Sequence, residues 1–340
     1  MFKLHTIKDN LRQKEDYKKY IGVNLSEPVD HFTEMFFTQN KNQFWVPDEI
    51  SVPLDLPSWE KLTQDERNTY EYALAGLTML DTIQGNIGMP EIARVVEDEQ
   101  RGAVLYFMAA MENIHAESYS TIFQTLSSKE RRHELFKWIE SHSLLQKKAN
   151  DISKFYEALD TDDSPMALYK ALVASVFLES FLFYSGFYYP LYLAGNGRMT
   201  TSGEIIRKIL LDESIHGVFT GLDAQVLKAE LSQEEQDRAD KEMYELLNDL
   251  YENEVAYTKD LYDQIGLTDD VVNYLQYNAN KALANLGFDP YFEEKGFNPI
   301  IENALDTTTK NHDFFSVKGD GYVLALNVEP LRDEDFVFED

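Results

Sequence analysis

Apolar and polar positions alternate along this 340-residue chain in a pattern that predicts long helices almost throughout. The segments 63–66 (TQDE) and 232–235 (SQEE) match capping boxes, which open helices, and Pro165 stands at the start of a strongly apolar helix. Residues 1–60 carry four prolines and predict irregular structure with a short helix or two. Helices are expected over 63–81, through 112–126, and over 128–143, 166–194, 201–229, 232–265 and 268–286, with Gly287 as the final stop. The fold is therefore expected to be all-α.

A Glu-x-x-His pattern occurs twice, about a hundred residues apart, in helices that otherwise look buried. Glu112 and His115 follow the apolar run AVLYFMAAM, and Glu213 and His216 follow the run ILL and one aspartate. The two side chains of each pair point from the same side of a helix because they are three positions apart. Chance produces this pattern often, and an isolated pair is more often a surface hydrogen bond. The apolar neighbourhood makes these two pairs candidate metal ligands.

Two further acids interrupt apolar helical runs: Asp81 in LAGLTMLDTIQ and Glu179 in LVASVFLESFLFYSGF. Carboxylates are almost never buried unless they are paired or bind a metal. A dinuclear metal site in a four-helix bundle takes one carboxylate from each of two helices and a Glu-x-x-His pair from each of the other two. The two acids and the two pairs together supply that set. Core acids satisfied without any metal are the alternative.

The charges of this set suit two divalent metal ions. Four carboxylates carry four negative charges, two divalent ions carry four positive charges, and neutral imidazoles complete the ligands. Without metal, buried acids so close together would repel one another, and some would take up protons. Oxygen and imidazole ligands without thiolate favour manganese or iron over zinc. The pattern does not decide between these two metals.

Composition narrows the classes of function. The formal charge of −29 disfavours nucleic acids and anionic membranes as partners. The absence of cysteine excludes a disulfide-stapled domain, thiolate metal sites and thiol catalysis by this chain. The polar N-terminal residues do not resemble a secretory signal, so a cytoplasmic location is expected. The apolar stretch 171–194 is nearly long enough to span a bilayer, but Glu179 and Pro190 within it favour a buried core helix.

We expect one helical domain over residues 1–288 and an extended, partly disordered C-terminal tail over 289–340. From residue 314 onwards the tail holds seven acids and two basic residues, with isolated Phe336 and Phe338 near its end. Such a composition is typical of a disordered, solubilising tail. A tail that docks onto another protein by its aromatic side chains is the other interpretation.

Four segments carry a resemblance to a known family: FMAAMENIHAESYSTIF, VFLESFLFYSGF, LLDESIHG and YNANKALANLG. They resemble the small, radical-bearing subunit of class I ribonucleotide reductase, specifically its class Ib branch. The resemblance runs from about Phe44 to the C-terminus. It implies a ferritin-like bundle, a homodimer, and a function in converting ribonucleoside diphosphates to deoxyribonucleotides. It also implies that Asp81, Glu112 and His115 bind one metal and that Glu179, Glu213 and His216 bind the other, with Glu112 and at least one later glutamate bridging.

The resemblance implies a role for Tyr119, which lies one helical turn beyond His115. The matching tyrosine of the family carries the stable tyrosyl radical, and Phe183 and Phe187 match the apolar pocket that protects it. Without the resemblance, a core tyrosine and two core phenylalanines would be the default interpretation.

The radical must reach a separate protein, because this chain has no cysteine to activate a ribose. Trp45 matches the family's tryptophan between the metal site and the subunit surface, and Asp212 matches the acid that links it to His115. Tyr322 matches the tail tyrosine that passes the radical across the interface. The resemblance thus favours a tail that docks onto the large catalytic subunit, with the last residues, DEDFVFED, as its anchor.

Asn278, Lys281 and Asn285 fall on one face of the last predicted helix. They resemble the polar lining of a channel that brings an oxidant from a flavodoxin-like activator protein to a dimanganese site. A solvated polar stripe is the alternative. Two other functions would also use the metal ligands: a di-metal oxygenase or oxidase of the same fold, and a ferritin-type iron-binding protein. An oxygenase or oxidase has no use for Trp45, Tyr322 or the tail, and an iron-binding protein of the ferritin type should form a large shell and load many metals per chain.

Overall fold

A computed structural model describes residues 22–293 and 295–306. Every regular element within these residues is helical, which confirms the expected all-α fold. The α-helices are α1 (His31–Asn42), α2 (Leu56–Trp59), α3 (Gln64–Ile83), α4 (Met89–Val95), α5 (Glu99–Leu126), α6 (Lys129–Ser141), α7 (Ser143–Ala158), α8 (Pro165–Phe177), α9 (Tyr184–Gly195), α10 (Thr200–Glu230), α11 (Gln233–Tyr262), α12 (Thr268–Asn285) and α13 (Pro299–Asp306). Short 3₁₀ segments cover Pro47–Glu49, Val52–Asp55 and Asp263–Ile265.

Capping side chains set the starts of the long helices. Thr63 caps α3 and Ser232 caps α11, each with the reciprocal glutamate contact of a capping box. Asp98 and Ser164 accept backbone N–H groups at the starts of α5 and α8. The boundaries expected from the two capping boxes are therefore confirmed.

The centre of the molecule is a bundle of four helical stretches. Helix α3 packs against α5, and α10 packs against α8 and α9. Contacts of α3 with α9 and of α5 with α10 close the bundle. Helices α7, α11 and α12 cover its outside. Because the inward faces of these stretches are almost wholly apolar and buried, any polar side chain on them lies in a medium of low polarity.

Two π-helical turns interrupt this bundle. One spans Gln84–Gly88 and joins α3 to α4, and the other spans Leu178–Leu182 and joins α8 to α9. The stretch expected to be one helix over 166–194 is thus broken near its middle. A π turn inserts one extra residue and shifts the register of the side chains that follow, and such turns are frequent at functional sites.

The irregular N-terminal segment is fixed to the start of α10. The N-terminal cap of α10 is Met199, which has a left-handed φ of 50° and offers no side-chain hydrogen bond. Asp55 takes over this role, since its carboxylate accepts the N–H groups of Thr201 and Ser202 at 3.1 and 2.6 Å. This contact holds the segment that carries Trp45 against α10.

Two helices lie where the sequence pattern did not predict them. Helix α7 fills part of the stretch between the charged helix α6 and Pro165. Helix α13 lies beyond residue 288, where an extended tail was expected, and packs against α9. Ile301 and Ala304 of α13 are buried, so the packed helical part continues to residue 306. A short amphipathic helix of eight residues gives too weak a periodic signal to be recognised from sequence.

One helical stretch, Pro165–Gly195, is long and apolar enough to cross a membrane. In the structure, 83% of its most apolar window is buried inside the protein. This burial supports its interpretation as a core helix.

Candidate metal centre

Six side chains from the four stretches of the bundle meet at its centre. Asp81 comes from α3, Glu179 from the second π turn, and the two Glu-x-x-His pairs from α5 and α10. Each of the six is fully buried. Their ligand atoms form two groups in which all atoms lie within 4.8 Å of one another. The first group holds Asp81, Glu112, His115 and Glu213, and the second holds Glu112, Glu179, Glu213 and His216.

Glu112 and Glu213 belong to both groups, and each turns one oxygen towards each histidine. The Nδ1 atom of His115 lies 3.5 Å from Glu112 Oε2 and 3.0 Å from Glu213 Oε1. The Nδ1 atom of His216 lies 2.8 Å from Glu112 Oε1 and 3.4 Å from Glu213 Oε2. Two carboxylates that each divide their oxygens between two ligand groups have the arrangement of bridging ligands.

The hydrogen bonding of these atoms fits a metal centre. Both oxygens of Asp81, Glu112 and Glu213 lack a hydrogen-bond donor in the described structure, as does the Nδ1 atom of each histidine. Buried polar atoms are normally satisfied, and a group of them without partners needs an explanation. Two cations between the groups would satisfy them. The six side chains therefore fit a pair of divalent metal ions.

The pKa values indicate what the site does without metal. Burial and the nearby charge of Glu112 raise the pKa of Asp81 and of Glu213 well above their usual values. Burial opposes the charge of His115, but the nearby carboxylates of Asp212 and Glu112 outweigh it and raise the pKa to about 10. Burial likewise opposes the charge of Glu112, but the two histidines lower its pKa to about 2. Protons thus balance the metal-free site, and metal ions would replace them.

The second nitrogen of His115 leads away from the cluster. Its Nε2 atom lies 3.0 Å from Asp212 Oδ2, which also accepts the indole N–H of Trp45 at 2.8 Å. The other oxygen, Oδ1, accepts the amide of Gln43 at 2.6 Å. Trp45 and Asp212 are both 1% exposed. The structure therefore joins three of the residues singled out in the sequence into one buried, hydrogen-bonded chain, Trp45–Asp212–His115.

Tyr119 is fully buried, and its hydroxyl has no hydrogen-bond partner in the described structure. Burial raises its pKa well above the usual value, and the charges of Asp81, Glu213 and Glu112 raise it further. The phenol is therefore neutral and lies close to the carboxylates of the cluster. Phe183 and Phe187 are fully buried, with ring centroids 6.0 Å apart, on the stretch that follows Glu179.

Two polar residues near Glu179 were missed in the sequence. Gln84 lies three positions after Asp81 and donates from Nε2 to Glu179 Oε1 at 2.5 Å. The hydroxyl of Tyr156 donates to the carbonyl oxygen of Gln84 at 2.8 Å. The spacing of Asp81 and Gln84 places both on one helical face and was a usable signal. Nothing in the sequence pattern indicates the contact of Gln84 with Tyr156, 72 residues away.

The polar face of α12 packs against the same region instead of facing solvent. Asn278 is 1% exposed. The Lys281 ammonium contacts the Tyr184 hydroxyl at 3.5 Å, and burial lowers the pKa of this lysine. Asn285 donates to the Ser180 hydroxyl, next to Glu179 in the chain, at 3.0 Å. The alternative of a solvated stripe does not agree with these contacts.

Tyr322, Phe336 and Phe338 lie outside the described residues. Their expected roles in the tail are therefore still expectations from the sequence.

Comparisons with known proteins agree on one family. The model of the family "Ribonucleotide reductase, small chain" matches residues 22–299. A ribonucleoside-diphosphate reductase subunit beta from Bacillus subtilis is 56% identical over 95% of this chain and 98% of its own length. One from Bacillus phage SPbeta is 53% identical over 94% of this chain and 97% of its own. The structure is similar to that of a dimanganese(II)-NrdF from Streptococcus sanguinis, with a TM-score of 0.81 and 39% identity over 84% of this chain and 100% of that one.

Proposed function

Because the chain belongs to the family of ribonucleotide reductase small chains, we propose that it is the class Ib radical-generating subunit of ribonucleoside-diphosphate reductase. In this role it forms a radical on Tyr119 and passes it to a large subunit, where ribonucleotides are reduced to deoxyribonucleotides. The observation that carries the proposal is the junction of three features around His115. They are a ligand set for two metals, a buried phenol, and the Trp45–Asp212–His115 chain.

The six clustered side chains are proposed to hold two manganese or iron ions. Asp81 and His115 would hold one ion and Glu179 and His216 the other, and Glu112 and Glu213, which belong to both groups of ligand atoms, would be shared. When bound and oxidised, such a pair supplies a strong one-electron oxidant. The ligand chemistry does not separate manganese from iron, although the similar Streptococcus sanguinis protein holds two manganese ions.

Tyr119 is proposed to supply the electron. A phenol that loses an electron also loses its proton, because the oxidised form is a strong acid. Among the charges that raise the pKa of Tyr119, that of Asp81 acts most strongly, and both Asp81 oxygens lack a donor among the described residues, so Asp81 is the proposed proton acceptor. The surrounding core, which includes Phe183 and Phe187, excludes water and reducing agents from the radical.

The Trp45–Asp212–His115 chain is proposed to carry the electron between the metal centre and the subunit surface. The indole N–H and the imidazole N–H both point at one carboxylate oxygen, so a proton can shift along the chain as the charge moves. Tyr322, in the tail, would continue the route into the large subunit. An oxygenase or oxidase has no use for such a route.

The partners follow from the family and are part of the proposal. Residues 330–340 would anchor the tail on the large subunit, and two copies of the chain would form a homodimer. Asn278, Lys281 and Asn285 would guide an oxidant from a flavodoxin-like activator towards Glu179, which their contacts with Tyr184 and Ser180 support. We also infer a cytoplasmic location and no nucleic acid or membrane partner, in keeping with the charge of −29.

Reconstitution of the holoenzyme tests the proposal. The metal-loaded chain is mixed with its large subunit, a ribonucleoside diphosphate and a reductant, and deoxyribonucleotide is measured beside the number of metals per chain. We expect two metals per chain and turnover that depends on both subunits. Trp45→Phe should keep the metals and lose turnover. Trp59→Phe is the matched control, because Trp59 is also buried but packs against Tyr70 and Arg67, whereas the indole N–H of Trp45 donates to Asp212.

Three outcomes count against the proposal. Turnover of Trp45→Phe at the wild-type rate would contradict the proposed transfer route through Trp45. Absence of nucleotide reduction by the wild type would favour an oxygenase or oxidase. Loading of many metals per chain would favour an iron-binding protein.

A further inference from the structure

Glu179 is held by a buried polar network of Gln84, Ser175 and Tyr156. Gln84 donates through Nε2 to Glu179 Oε1 at 2.5 Å and to the Ser175 hydroxyl at 3.0 Å. Tyr156 donates to the Oε1 atom of Gln84 at 2.8 Å. All four side chains are fully buried. The network therefore reaches from α7 through the first π turn to the metal ligand on the second.

The chemistry of the neighbours fixes the orientation of the Gln84 amide. Burial raises the pKa of Tyr156 well above its usual value, so this phenol keeps its proton and can donate it. An ionised carboxylate can only accept. The amide must therefore turn its carbonyl oxygen towards Tyr156 and its NH₂ group towards Glu179. A flipped amide would place two acceptors against each other at Glu179.

Glu179 differs from the other three carboxylates of the cluster in its partners. Both oxygens of Asp81, Glu112 and Glu213 lack a donor within the described part of the chain. Glu179 has one oxygen, Oε2, without a donor and one, Oε1, held by Gln84. The free oxygen lies 3.6 Å from His216 Nδ1, on the side of the clustered ligand atoms. The two oxygens of this carboxylate thus face different partners.

The backbone leaves room for this network. A Cβ atom at Gly88 would lie 2.4 Å from the side-chain oxygen Oε1 of Gln84 and 2.8 Å from the Tyr156 ring. A Cβ atom at Gly85 would lie 2.8 Å from the Glu112 Cβ atom. Real Cβ atoms do not approach so closely, so both positions of the π turn need glycine. The sequence QGNIG therefore brings Gln84 close to both Glu179 and Tyr156.

We propose that Gln84, oriented by Tyr156, is a positioning residue that holds one oxygen of Glu179 and leaves the other for a single metal ion. Gln84 acts through Glu179 and does not itself bind metal. The inference rests on the proposed metal centre and adds to it an asymmetry among the carboxylates: one ion has a carboxylate ligand held from outside the cluster by Gln84, whereas the outer contact at the other ion is that of Asp212 with His115. Outer partners that orient metal ligands typically change metal affinity by about 10–100-fold when they are removed.

Two variants and one control test the proposal, with Mn²⁺ alone as the probe. Gln84→Met keeps the volume of the side chain and removes the amide. Tyr156→Phe removes only the hydroxyl that orients Gln84, so the positioning role is still tested if Gln84→Met fails to fold. Tyr262→Phe is the control, because it also removes a fully buried hydroxyl, one that donates to the backbone carbonyl of Ser185.

Mn²⁺ is titrated into each metal-free protein and followed by electron paramagnetic resonance, which separates isolated ions from coupled pairs. In the wild type, the pair signal should form as the second equivalent is added. Gln84→Met should lower the affinity for the ion at Glu179, Glu213 and His216 by about tenfold or more, and the affinity for the other ion by less than about threefold. Tyr156→Phe should show a smaller loss at the same ion, and Tyr262→Phe should match the wild type. Anomalous scattering from a crystal at one equivalent identifies the ion that is retained.

Two results would overturn the positioning role. Wild-type affinities in both Gln84→Met and Tyr156→Phe would show that Glu179 needs no outside partner. An equal loss of affinity for both ions, together with a lower melting temperature, would show that Gln84 acts only by packing. Failure of the wild type to bind a pair of ions would instead contradict the proposed metal centre itself. The failure of the metal centre and the failure of the positioning role are therefore distinguishable.

Discussion

Replacement of Asp212 by asparagine tests the link between Trp45 and His115. The carboxylate accepts three hydrogen bonds, from Gln43, Trp45 and His115, at 2.6, 2.8 and 3.0 Å. Asp212→Asn keeps the shape but removes the charge, and it replaces one acceptor with a donor. The least costly arrangement keeps the amide oxygen at Trp45 and His115 and turns the new NH₂ group towards Gln43, which must then rotate its own amide.

The size of the effect follows from the number of bonds. Hydrogen bonds to charged groups contribute about 1.5–3 kcal/mol and neutral ones about 0.5–1.5 kcal/mol, so three weakened bonds lower the free energy of unfolding by about 3 kcal/mol. Asp212→Ala leaves three buried donors without an acceptor, at about 1–3 kcal/mol each, and should destabilise the protein more than Asp212→Asn. Removal of the Asp212 charge should also lower the pKa of His115, because Asp212 is the main cause of its rise.

The assay combines urea unfolding with turnover of the holoenzyme. Asp55→Asn is the matched control, because Asp55 is also a buried carboxylate that accepts three hydrogen bonds, all at the start of α10. Both asparagine variants should lose similar stability. Only Asp212→Asn should lose most nucleotide reduction while it keeps its metals and its tyrosyl radical. Wild-type turnover of Asp212→Asn would refute the transfer route, and an equal loss of turnover in Asp55→Asn would assign the effect to stability.

Three further predictions concern the bridge, a buried acid and the tail. Glu112→Ala removes a carboxylate shared by both ligand groups, so the affinity of the chain for both metal ions should fall. Two tightly bound metal ions per chain in this variant, by metal analysis, would contradict the assignment. Burial, only partly offset by Arg101, raises the pKa of Asp223 from 3.8 to about 7. The contribution of Asp223 to the free energy of unfolding is therefore complete below about pH 4 and is lost as pH rises through 7, by on the order of 4 kcal/mol at most. Asp223→Asn should make the melting temperature depend less on pH between pH 4 and 8. An unchanged dependence on pH would contradict the raised pKa of Asp223. Deletion of residues 330–340 should abolish binding to the large subunit in a pull-down while the radical persists, whereas Tyr322→Phe should bind and form the radical but give no nucleotide reduction.

Much of the candidate metal centre could be predicted from the sequence because each candidate ligand leaves a local signal. Asp81 and Glu179 are charged residues in apolar helical runs, and the two Glu-x-x-His pairs have the spacing of one helical face. Burial makes such residues costly unless they are partnered, so physics alone points to them. The starts of α3 and α11 were equally predictable, since Thr63 and Ser232 open capping boxes.

Other parts depend on contacts that the local pattern does not contain. Asp212 is adjacent to Glu213, and neighbouring residues on a helix point about 100° apart, so its link to His115 came from the family resemblance and not from spacing. The two π turns shift the register by one residue within otherwise helical stretches, a change too small for periodicity to show. The contact between Gln84 and Tyr156 joins residues 72 positions apart, which only the fold brings together.

The radical on Tyr119 is the central claim, and electron paramagnetic resonance of the oxidised, metal-loaded chain tests it most directly. Wild-type protein with two metals per chain should show a tyrosyl signal. Tyr119→Phe should bind the same two metals and show no such signal, because the change removes from a fully buried ring one hydroxyl that has no hydrogen-bond partner among the described residues. Tyr184→Phe is a suitable control, since Tyr184 is also buried beside the cluster and near Glu213. A wild-type tyrosyl signal in Tyr119→Phe, or loss of the signal only in Tyr184→Phe, would contradict the assignment.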